Sequence, residues 1–243
     1  MSPPWLARWK SWDMLEKNEV ITIDGPSGSG KSTISRMVAS RLGFTYLDTG
    51  AMYRAVAHVA LERGVDLADS GALLAVAESL DIEVNCGPSH TRVCVDGRDV
   101  TDSIRGIAVS AATSDVARNQ GVRDLMVRLQ REIGRGLGSL VADGRDQGSV
   151  VFPQAKPKFV LEASLKKRAE RRCEELIAQG EGADLKSVMD NLRARDLVDA
   201  RQWEPLLTEG EAIIIDTTDL TIDDVVGLLA RTVERINRST GAR

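Results

Sequence analysis

One glycine-rich segment restricts the fold of this chain more than any other stretch. Residues 25–33 read GPSGSGKST, after an apolar run at 20–23 and before a helical pattern at 34–42. This is the G-x-x-x-x-G-K-[ST] spacing in a strand–loop–helix setting, where glycines let backbone N–H groups turn toward phosphate oxygens. The alternative, a glycine-rich turn that binds nothing, is disfavoured by the flanking patterns. The segment predicts a nucleoside triphosphate site without indicating the reaction.

The lysine and the hydroxyl that follows it are the chemical groups of this segment. Lys31 can reach the β- and γ-phosphates, and the Ser32 hydroxyl can hold Mg²⁺. The predicted triphosphate-binding residues are Gly25, Pro26, Ser27, Gly28, Ser29, Gly30, Lys31, Ser32 and Thr33.

The composition limits the possible partners and compartments. Of 243 residues, 42% are hydrophobic and 4% aromatic, which predicts one large domain, with or without an insert, and an aliphatic core. A net charge of −4 argues against a nucleic-acid polymer as partner, because such binding needs a basic face. No apolar run approaches the ~20 residues that span a membrane, and no secretory pattern opens the chain. We therefore predict a cytoplasmic protein.

Cysteine and histidine are too sparse to suggest a disulfide framework or a metal cluster. The three cysteines are Cys86, Cys94 and Cys173, an odd number without paired short spacing, which predicts free thiols. A bridge between Cys86 and Cys94 across a hairpin is the less favoured alternative. The two histidines, His58 and His90, are too few for a metal site.

Residues 1–18 form an extension outside the predicted domain, which covers residues 19–243. Trp5, Trp9 and Trp12 fall on one helical face by their spacing. We favour a short amphipathic helix that docks on the domain, or a frayed extension. A contact with a partner or a membrane surface is the alternative.

Five short apolar runs alternate with helical patterns along the chain. They lie at residues 20–23, 45–47, 140–142, 159–161 and 212–215. Such alternation predicts an α/β fold, a five-stranded parallel sheet flanked by helices. A final helix is expected after Thr221, where Asp224 completes a pattern much like a capping box.

Residues of about 65–105 break this alternation. A helical pattern at 69–80 leads into two strand-like segments at 81–86 and 92–96, and an Asp96–Gly97 tight turn follows. We expect a helix and a small antiparallel hairpin here, which form a small α+β insert on the main sheet.

Two motifs follow predicted strands, where ligands bind in open α/β sheets. The first places Asp48, Thr49, Tyr53 and Arg54 within seven residues, and its arginine can clamp a phosphate. The alternative is a helix N-cap, Asp48 or Thr49, followed by a surface arginine.

The second motif reads Asp143-Gly144-Arg145-Asp146 after the apolar run at 140–142. A strand that ends in aspartate resembles the magnesium-side carboxylate of phosphate-loop enzymes. A charged turn without a ligand is the alternative.

Two basic clusters lie in the last third of the chain. Arg168, Arg171 and Arg172 share a helical face, and a loop with Gly180 and Gly182 follows. Three guanidinium groups on one face predict a mobile lid, about 164–184, that brings positive charge to a triphosphate. The alternative is a solvated helix with glutamate partners. Residues 193–201 (RARDLVDAR) form the second cluster, and Arg123 on a separate helix is a further candidate.

Taken in order, these motifs resemble the bacterial cytidylate kinases, a branch of the nucleoside monophosphate kinases. The likeness runs from about residue 20 to the C-terminal helix, and its motifs are GPSGSGKST, LDTGAMYR, VADGRDQGSVVFP, the 168–172 stretch and RARDLVDAR. The insert at 65–105 resembles the extra segment of the bacterial branch. The resemblance implies phosphoryl transfer from ATP, with Mg²⁺, to CMP or dCMP. We also expect a monomer.

The resemblance also implies roles for individual residues. Those that would bind CMP are Asp48, Thr49, Tyr53, Arg54, Ser114, Arg123, Arg145, Asp146, Arg195 and Asp199. Those that would act in catalysis are Lys31, Arg145, Arg168 and Arg172. Ser32 and Asp143 would hold the metal.

The chain departs from the family pattern at two places. Gln147 stands where the family usually has Met after the GRD triplet, and the spacing from Asp199 to Pro205 is one residue shorter, which leaves the role of Arg201 open. A kinase of another small acceptor and a switch-type NTPase are the competing hypotheses. The chain has neither an Asn/Thr-Lys-x-Asp base-reading motif nor an LSGGQ-like signature.

Overall fold

The computed structural model describes residues 19–87, 91–178, 180, 182–208 and 210–240. Within it, the side chains of residues 198–208 and 240 are not described. The predicted N-terminal extension with its three tryptophans, the 88–90 turn and the side chains of Asp199 and Arg201 therefore lie outside the described part.

Strands and helices alternate along the described chain. The strands are β1 (Val20–Asp24), β2 (Thr45–Asp48), β3 (Ile82–Cys86), β4 (Thr91–Val95), β5 (Arg98–Asp99), β6 (Leu140–Asp143), β7 (Lys158–Glu162) and β8 (Ala212–Asp216). The helices are α1 (Lys31–Leu42), α2 (Thr49–Glu62), α3 (Ser70–Ser79), α4 (Ile107–Arg118), α5 (Gln120–Gly136), α6 (Leu165–Ala178), α7 (Leu185–Thr208) and α8 (Ile222–Thr240). A 3₁₀ turn at Ser103–Arg105 and a π-helical turn at Gln147–Val151 complete the set.

The main sheet confirms the predicted α/β fold. Its five strands lie in the order β2-β6-β1-β7-β8 and are all parallel. In this register Ile23 lies beside both Asp143 and Phe159. Because β1 is central, the loop that follows it emerges in the middle of the edge where all five strands end.

Aliphatic side chains fill the space between the sheet and its helices. Ile23 and Phe159 are fully buried, and they pack with Ile34 of α1 and Leu229 of α8. The last helix begins as predicted, since Thr221 and Asp224 form a reciprocal pair of side-chain to backbone hydrogen bonds. These two helices cover the sheet beneath the glycine-rich loop.

The region between α2 and α4 contains the helix and hairpin that its sequence predicts, with a third short strand. Strands β3, β4 and β5 form an antiparallel sheet. Asp96 and Gly97 both have positive φ values, 51° and 77°, and link β4 to β5. Val93 and Leu73 of the insert join one apolar cluster with Val56 of α2. The insert therefore packs against α2, the helix that follows β2.

Two further predictions concern thiols and membranes. All three cysteines are free, which confirms the prediction of unpaired thiols. Along the described residues, no helix has the length and apolarity needed to cross a membrane.

Candidate active site

Acidic residues end all five parallel strands, and these ends share one edge of the sheet. Asp24, Asp48 and Asp143 are buried there, whereas Glu162 and Asp216 are more exposed. Buried carboxylates need hydrogen-bond donors or cations nearby, because desolvation penalises their charge. The partners of the three buried carboxylates define the candidate site.

The glycine-rich loop is held close to the neighbouring strand. Gly25 has a φ of 136°, and a Cβ atom there would lie 2.2 Å from the carbonyl oxygen of Leu161 on β7. Gly28 and Gly30 have positive φ values of 77° and 88°. Only glycine fits the first position, because any side chain would overlap the backbone of β7.

The start of α1 suits an anion. Gly30 is its N-cap, with no side-chain cap, and the first turn carries no acidic residue. The N–H groups at such a helix start point toward a ligand, and the helix dipole favours negative charge there. Lys31 is only 6% exposed, and its Nζ donates to the carbonyl oxygen of Pro26 at 2.6 Å. The loop thus brings a buried ammonium group to the same place.

Ser32 and Asp143 lie together, as the predicted metal pair requires. The Ser32 Oγ donates to Asp143 Oδ2 at 2.7 Å, and the Tyr46 Oη donates to Asp143 Oδ1 at 3.1 Å. Burial, and to a lesser extent nearby Asp48, raises the pKa of Asp143 to about 6, although Ser32 and Lys31 oppose the rise. A carboxylate and a hydroxyl oxygen at this distance form a donor set that fits Mg²⁺.

Asp24 fastens the turn after β6 to the end of β1. Its two carboxylate oxygens accept the backbone N–H groups of Gln147 and Gly148 at 2.9 and 2.8 Å. Burial raises the pKa of Asp24 to about 7, although both hydrogen bonds lower it. This carboxylate therefore links the glycine-rich loop to the segment that carries Asp146.

Asp48 serves both as the N-cap of α2 and as the partner of Arg54. Its Oδ1 accepts the Ala51 N–H at 2.9 Å, and Arg54 Nη2 donates to both carboxylate oxygens at 3.1 and 2.9 Å. Thr49 donates instead to the carbonyl oxygen of Asp143 at 2.6 Å. The N-cap alternative is thus correct for Asp48, and it coexists with an arginine held at the site.

Arg123 and Asp146 form a second arginine–carboxylate pair. Arg123 Nη2, on α5, lies 2.5 Å from Asp146 Oδ2. Burial raises the pKa of Asp146, and Arg123 opposes that rise. The Gln147 amide nitrogen lies behind the pair, 3.1 Å from Gln130 Oε1 and 3.4 Å from Asp146 Oδ1. Gln147 therefore supports the orientation of Asp146 from the protein side.

Arg168 and Arg171 of α6 contact other elements of the fold, whereas Arg172 does not. Arg168 is 5% exposed; it donates to the Ser27 carbonyl oxygen at 3.1 Å and to both Asp196 carboxylate oxygens at 3.0 and 2.6 Å. Arg171 donates to the carbonyl oxygen of Thr217 at 2.6 Å. Arg172 pairs with Glu175 on its own helix, as the solvated alternative predicts. The three guanidinium groups thus have separate partners.

The remaining predicted residues lie at varying distances from this core. Tyr53 is buried on α2, and burial raises its pKa. Ser114 is half-buried on α4, which packs against α2. Arg145 follows Asp143 in the turn after β6, and Arg195 is half-buried on α7. The functional roles of these residues stay predictions.

Sequence reasoning missed four residues that the structure brings to the site. They are Asp24, Tyr46, Arg105 and Asp196. Two of them could have been found from the sequence: Asp24 is the last residue of β1 and Tyr46 lies within β2, and the sequence predicts both as buried strands. Asp196 was marked only as part of the 193–201 cluster and Arg105 not at all, because their contacts depend on how α7 and the insert pack.

Comparison with known proteins shows the family to which the sequence belongs. A family model described as "Cytidylate kinase" matches residues 21–235. A cytidylate kinase of Geobacillus thermodenitrificans is 44% identical over 228 residues, which cover 93% of this chain and 100% of that protein. A cytidylate kinase of Nocardia farcinica is 43% identical over 224 residues, 92% of this chain and 96% of that protein.

A solved structure supports the fold. The crystal structure of a gluconokinase from Sinorhizobium meliloti covers 93% of this chain and 98% of its own, with a TM-score of 0.50 and 14% identity. At that identity the likeness concerns the fold alone. The family match spans most of the described sheet and both arginine–carboxylate pairs. This chain belongs to the cytidylate kinase family.

Proposed function

We propose that the chain transfers the γ-phosphoryl group of ATP to CMP or dCMP, which produces ADP and CDP or dCDP. The observation that carries the proposal is the arrangement along the sheet edge. The phosphate loop follows the central strand β1, and the pairs Arg54–Asp48 and Arg123–Asp146 lie on the side of β2 and β6. A triphosphate on the loop and an acceptor over β6 and β2 would therefore lie side by side.

The two pairs suit the two ends of an acceptor nucleotide. The guanidinium groups of Arg54 and Arg145 can bind its phosphate in bidentate fashion. The Asp146 carboxylate can accept a hydrogen bond from the N4 amino group of cytosine, and Arg123 can donate to the same edge. From the sequence, Asp199 is proposed to accept a hydrogen bond from a ribose hydroxyl, and Arg195 is proposed as a further ligand of the phosphate. In this proposal Arg54 and Arg145 bind the charged phosphate, and Asp146 with Arg123 recognises the base.

Lys31, Ser32 and Asp143 would act on the donor side. Ser32 and Asp143 would hold Mg²⁺, which, when bound, neutralises charge on the β- and γ-phosphates. The described residues form no cluster of three or more His, Cys, Asp or Glu side chains for a metal. A Mg²⁺ site commonly uses one or two protein ligands and substrate phosphates instead.

The transfer itself needs no protein nucleophile. An oxygen of the acceptor phosphate attacks the γ-phosphorus, the bond from that phosphorus to the β–γ bridging oxygen breaks, and ADP leaves. Lys31 and Arg145, with Arg168 and Arg172 of α6, would stabilise the negative charge of the transition state. Arg168 already contacts the phosphate loop at Ser27, which supports a role for α6 at the donor site. Catalysis would consist mainly of positioning and charge neutralisation.

The proposal is tested by measuring ADP formation from Mg·ATP with CMP, dCMP, UMP, AMP or GMP, and without acceptor. We expect rapid turnover with CMP and dCMP, and little with the purine nucleotides. Turnover that prefers another acceptor would favour a kinase of a different small molecule. Slow hydrolysis that does not depend on any acceptor would favour a switch-type NTPase. Each outcome selects one hypothesis.

A further inference from the structure

Gln147 lies directly after Asp146 in the turn that follows β6, and its side chain is buried there. Gln147 is 1% exposed, and Gln130 of α5 beside it is fully buried. It is also a position at which the chain departs from the methionine usual in its family. A buried amide group needs hydrogen-bond partners, because its desolvation is otherwise costly. The partners of this amide therefore indicate what a glutamine does here that an apolar side chain would not.

The amide nitrogen of Gln147 lies among three oxygen atoms. It is 3.1 Å from Gln130 Oε1, 3.2 Å from Thr49 Oγ1 and 3.4 Å from Asp146 Oδ1. Thr49 donates its own proton to the carbonyl oxygen of Asp143, so its hydroxyl accepts from Gln147. The opposite orientation of the amide would place its oxygen against the oxygens of Thr49 and Asp146. The network therefore directs the donor of Gln147 toward the carboxylate.

This donor gives both oxygens of the Asp146 carboxylate a hydrogen-bond partner. Asp146 is 4% exposed, and its Oδ2 pairs with Arg123 while Oδ1 faces the Gln147 amide. Donors to both oxygens favour the ionised carboxylate, which only accepts hydrogen bonds. A protonated carboxyl group would instead donate one. The amide thus acts on the property by which Asp146 would read a base.

The other charged and titratable groups around Asp146 come from three elements and from its own turn. Arg123 of α5 and Arg145 of the turn favour the ionised form, whereas burial raises the pKa of Asp146. Asp24 of β1 carries a like charge, and Tyr53 of α2 is a neutral phenol, since burial raises its pKa. A lost hydrogen bond would therefore act on a carboxylate whose charge is already opposed by burial.

We propose that Gln147 is a positioning residue through which Asp146 selects cytosine over uracil. An ionised carboxylate accepts a hydrogen bond from the N4 amino group of cytosine, but it meets the O4 oxygen of uracil as one acceptor against another. Without the amide, Asp146 takes up a proton more readily and can donate it to O4, so uracil is admitted. This inference rests on the proposed function, since it concerns the base of the same acceptor nucleotide.

The test compares Gln147→Met with Gln120→Met by measuring kcat and KM for CMP and UMP between pH 5 and pH 8. Methionine keeps the length of the side chain and removes the donor. Gln120 is the matched control, because its amide also donates to a carboxylate, Asp124 at 2.8 Å, but at an exposed place on α5. Gln120→Met should behave as the wild type does with both nucleotides.

We expect Gln147→Met to lower the ratio of kcat/KM for CMP to that for UMP about tenfold at pH 6, the effect of one hydrogen bond. The loss should lie in KM and should diminish toward pH 8. The pH below which KM for CMP rises should move upward by about one unit. Gln147→Asn keeps an amide but is one methylene group shorter, so it should show the same loss and provides the measurement if Gln147→Met does not fold.

The outcomes separate this inference from the function on which it rests. If the wild type prefers CMP and both variants of Gln147 keep its selectivity and its pH profile, the inference is overturned and the function stands. An equal rise of KM for CMP and UMP at every pH would also overturn it, since Gln147 would then act on the fold alone. A wild type that does not use CMP would remove both.

Discussion

Charge burial determines what the individual residues of this site can do. Asp24, Asp143 and Asp146 all have pKa values raised by burial, and the ammonium group of Lys31 is buried among them. A buried charge loses its hydration and relies on a few fixed partners. Removal of one partner therefore has a large effect that a single variant can measure.

Lys31→Ala should reduce turnover by about a hundredfold or more, because it removes the cation that stabilises charge on the β- and γ-phosphates. The measurement is kcat for ADP formation with CMP. Lys158 provides a matched control: it is also a buried lysine, 7% exposed, but it begins β7 at the opposite edge of the sheet. Near-normal turnover of Lys31→Ala would contradict the assigned role.

Asp146→Ala should impair the use of CMP much more than the use of ATP. A carboxylate that reads the base discriminates through the hydrogen bond it makes, and its loss leaves Arg123 without its partner. We expect KM for CMP to rise ~10-fold or more, with KM for ATP nearly unchanged. Asp115→Ala, an exposed carboxylate on α4, is the control. Equal losses for both substrates would remove Asp146 from base recognition.

Asp24 should make the folded state less stable as the pH rises. Its folded-state pKa of about 7 exceeds the ordinary value of 3.8, so its contribution is fully present below pH 3.8 and is lost as the pH rises through about 7. The free energy of unfolding of the wild type minus that of Asp24→Asn should therefore decrease between pH 5 and pH 8. Urea titrations of both proteins at pH 5 and at pH 8 measure this difference.

Asp216→Asn is the control for this measurement. Asp216 also ends a parallel strand, but Thr218 lowers its pKa, so it is ionised in both states over this pH range. The difference in the free energy of unfolding between the wild type and Asp216→Asn should therefore be the same at pH 5 and at pH 8. A constant difference for Asp24→Asn as well would show that Asp24 does not titrate as inferred.

At the scale of the elements, each strand of the main sheet ends one residue beyond its predicted boundary. The added residues are Asp24, Asp48, Asp143, Glu162 and Asp216. Apolar patterning stops at the last apolar side chain, whereas backbone pairing continues to the acid that follows. The fold could therefore be predicted from the alternation of apolar runs and helical patterns. The candidate site could be predicted only where a recognisable motif directly follows a strand.

The contacts that could not be predicted all join distant elements. The insert's Arg105 reaches Asp48, and Asp196 of α7 holds Arg168 of α6. Such pairs depend on how the elements pack, which local spacing does not encode. The spacing of the three arginines on α6 likewise did not indicate that Asp196 of α7 pairs with Arg168, and the lid at about 164–184 stays a prediction.

Gly25→Ala should destabilise the junction between the phosphate loop and β7. The added methyl group would overlap the Leu161 carbonyl oxygen, 2.2 Å away. Gly64→Ala is the control that separates backbone strain from steric overlap. Gly64 also has a positive φ, 62°, but a Cβ atom there would have no atom within 4 Å. We expect a loss of about 1 kcal/mol at Gly64 from backbone strain alone and at least ~3 kcal/mol at Gly25. Equal losses by urea titration would contradict the packing argument.

At the scale of the whole molecule, the strand order would place the proposed donor and acceptor sites on neighbouring parts of the sheet edge. The loop after β1 lies between the strands β6 and β2, which carry the acceptor-side motifs, and the strands β7 and β8, beside α6.

We expect the protein to be a monomer in solution. Sedimentation equilibrium should give a single species of 26.4 kDa at all concentrations, and turnover per chain should not depend on dilution. A mass that increases with concentration, together with activity lost on dilution, would contradict this prediction.

The central position of β1 also has a consequence for synthesis of the chain. Both neighbours of β1 are made much later, since β1 pairs with residues 140–143 and 158–160. A growing chain on the ribosome therefore carries an unpaired apolar strand until most of the protein has emerged. Such long-range pairing slows folding and exposes strand edges to other chains. The phosphate loop, which is translated early, can acquire its final form only near the end of translation.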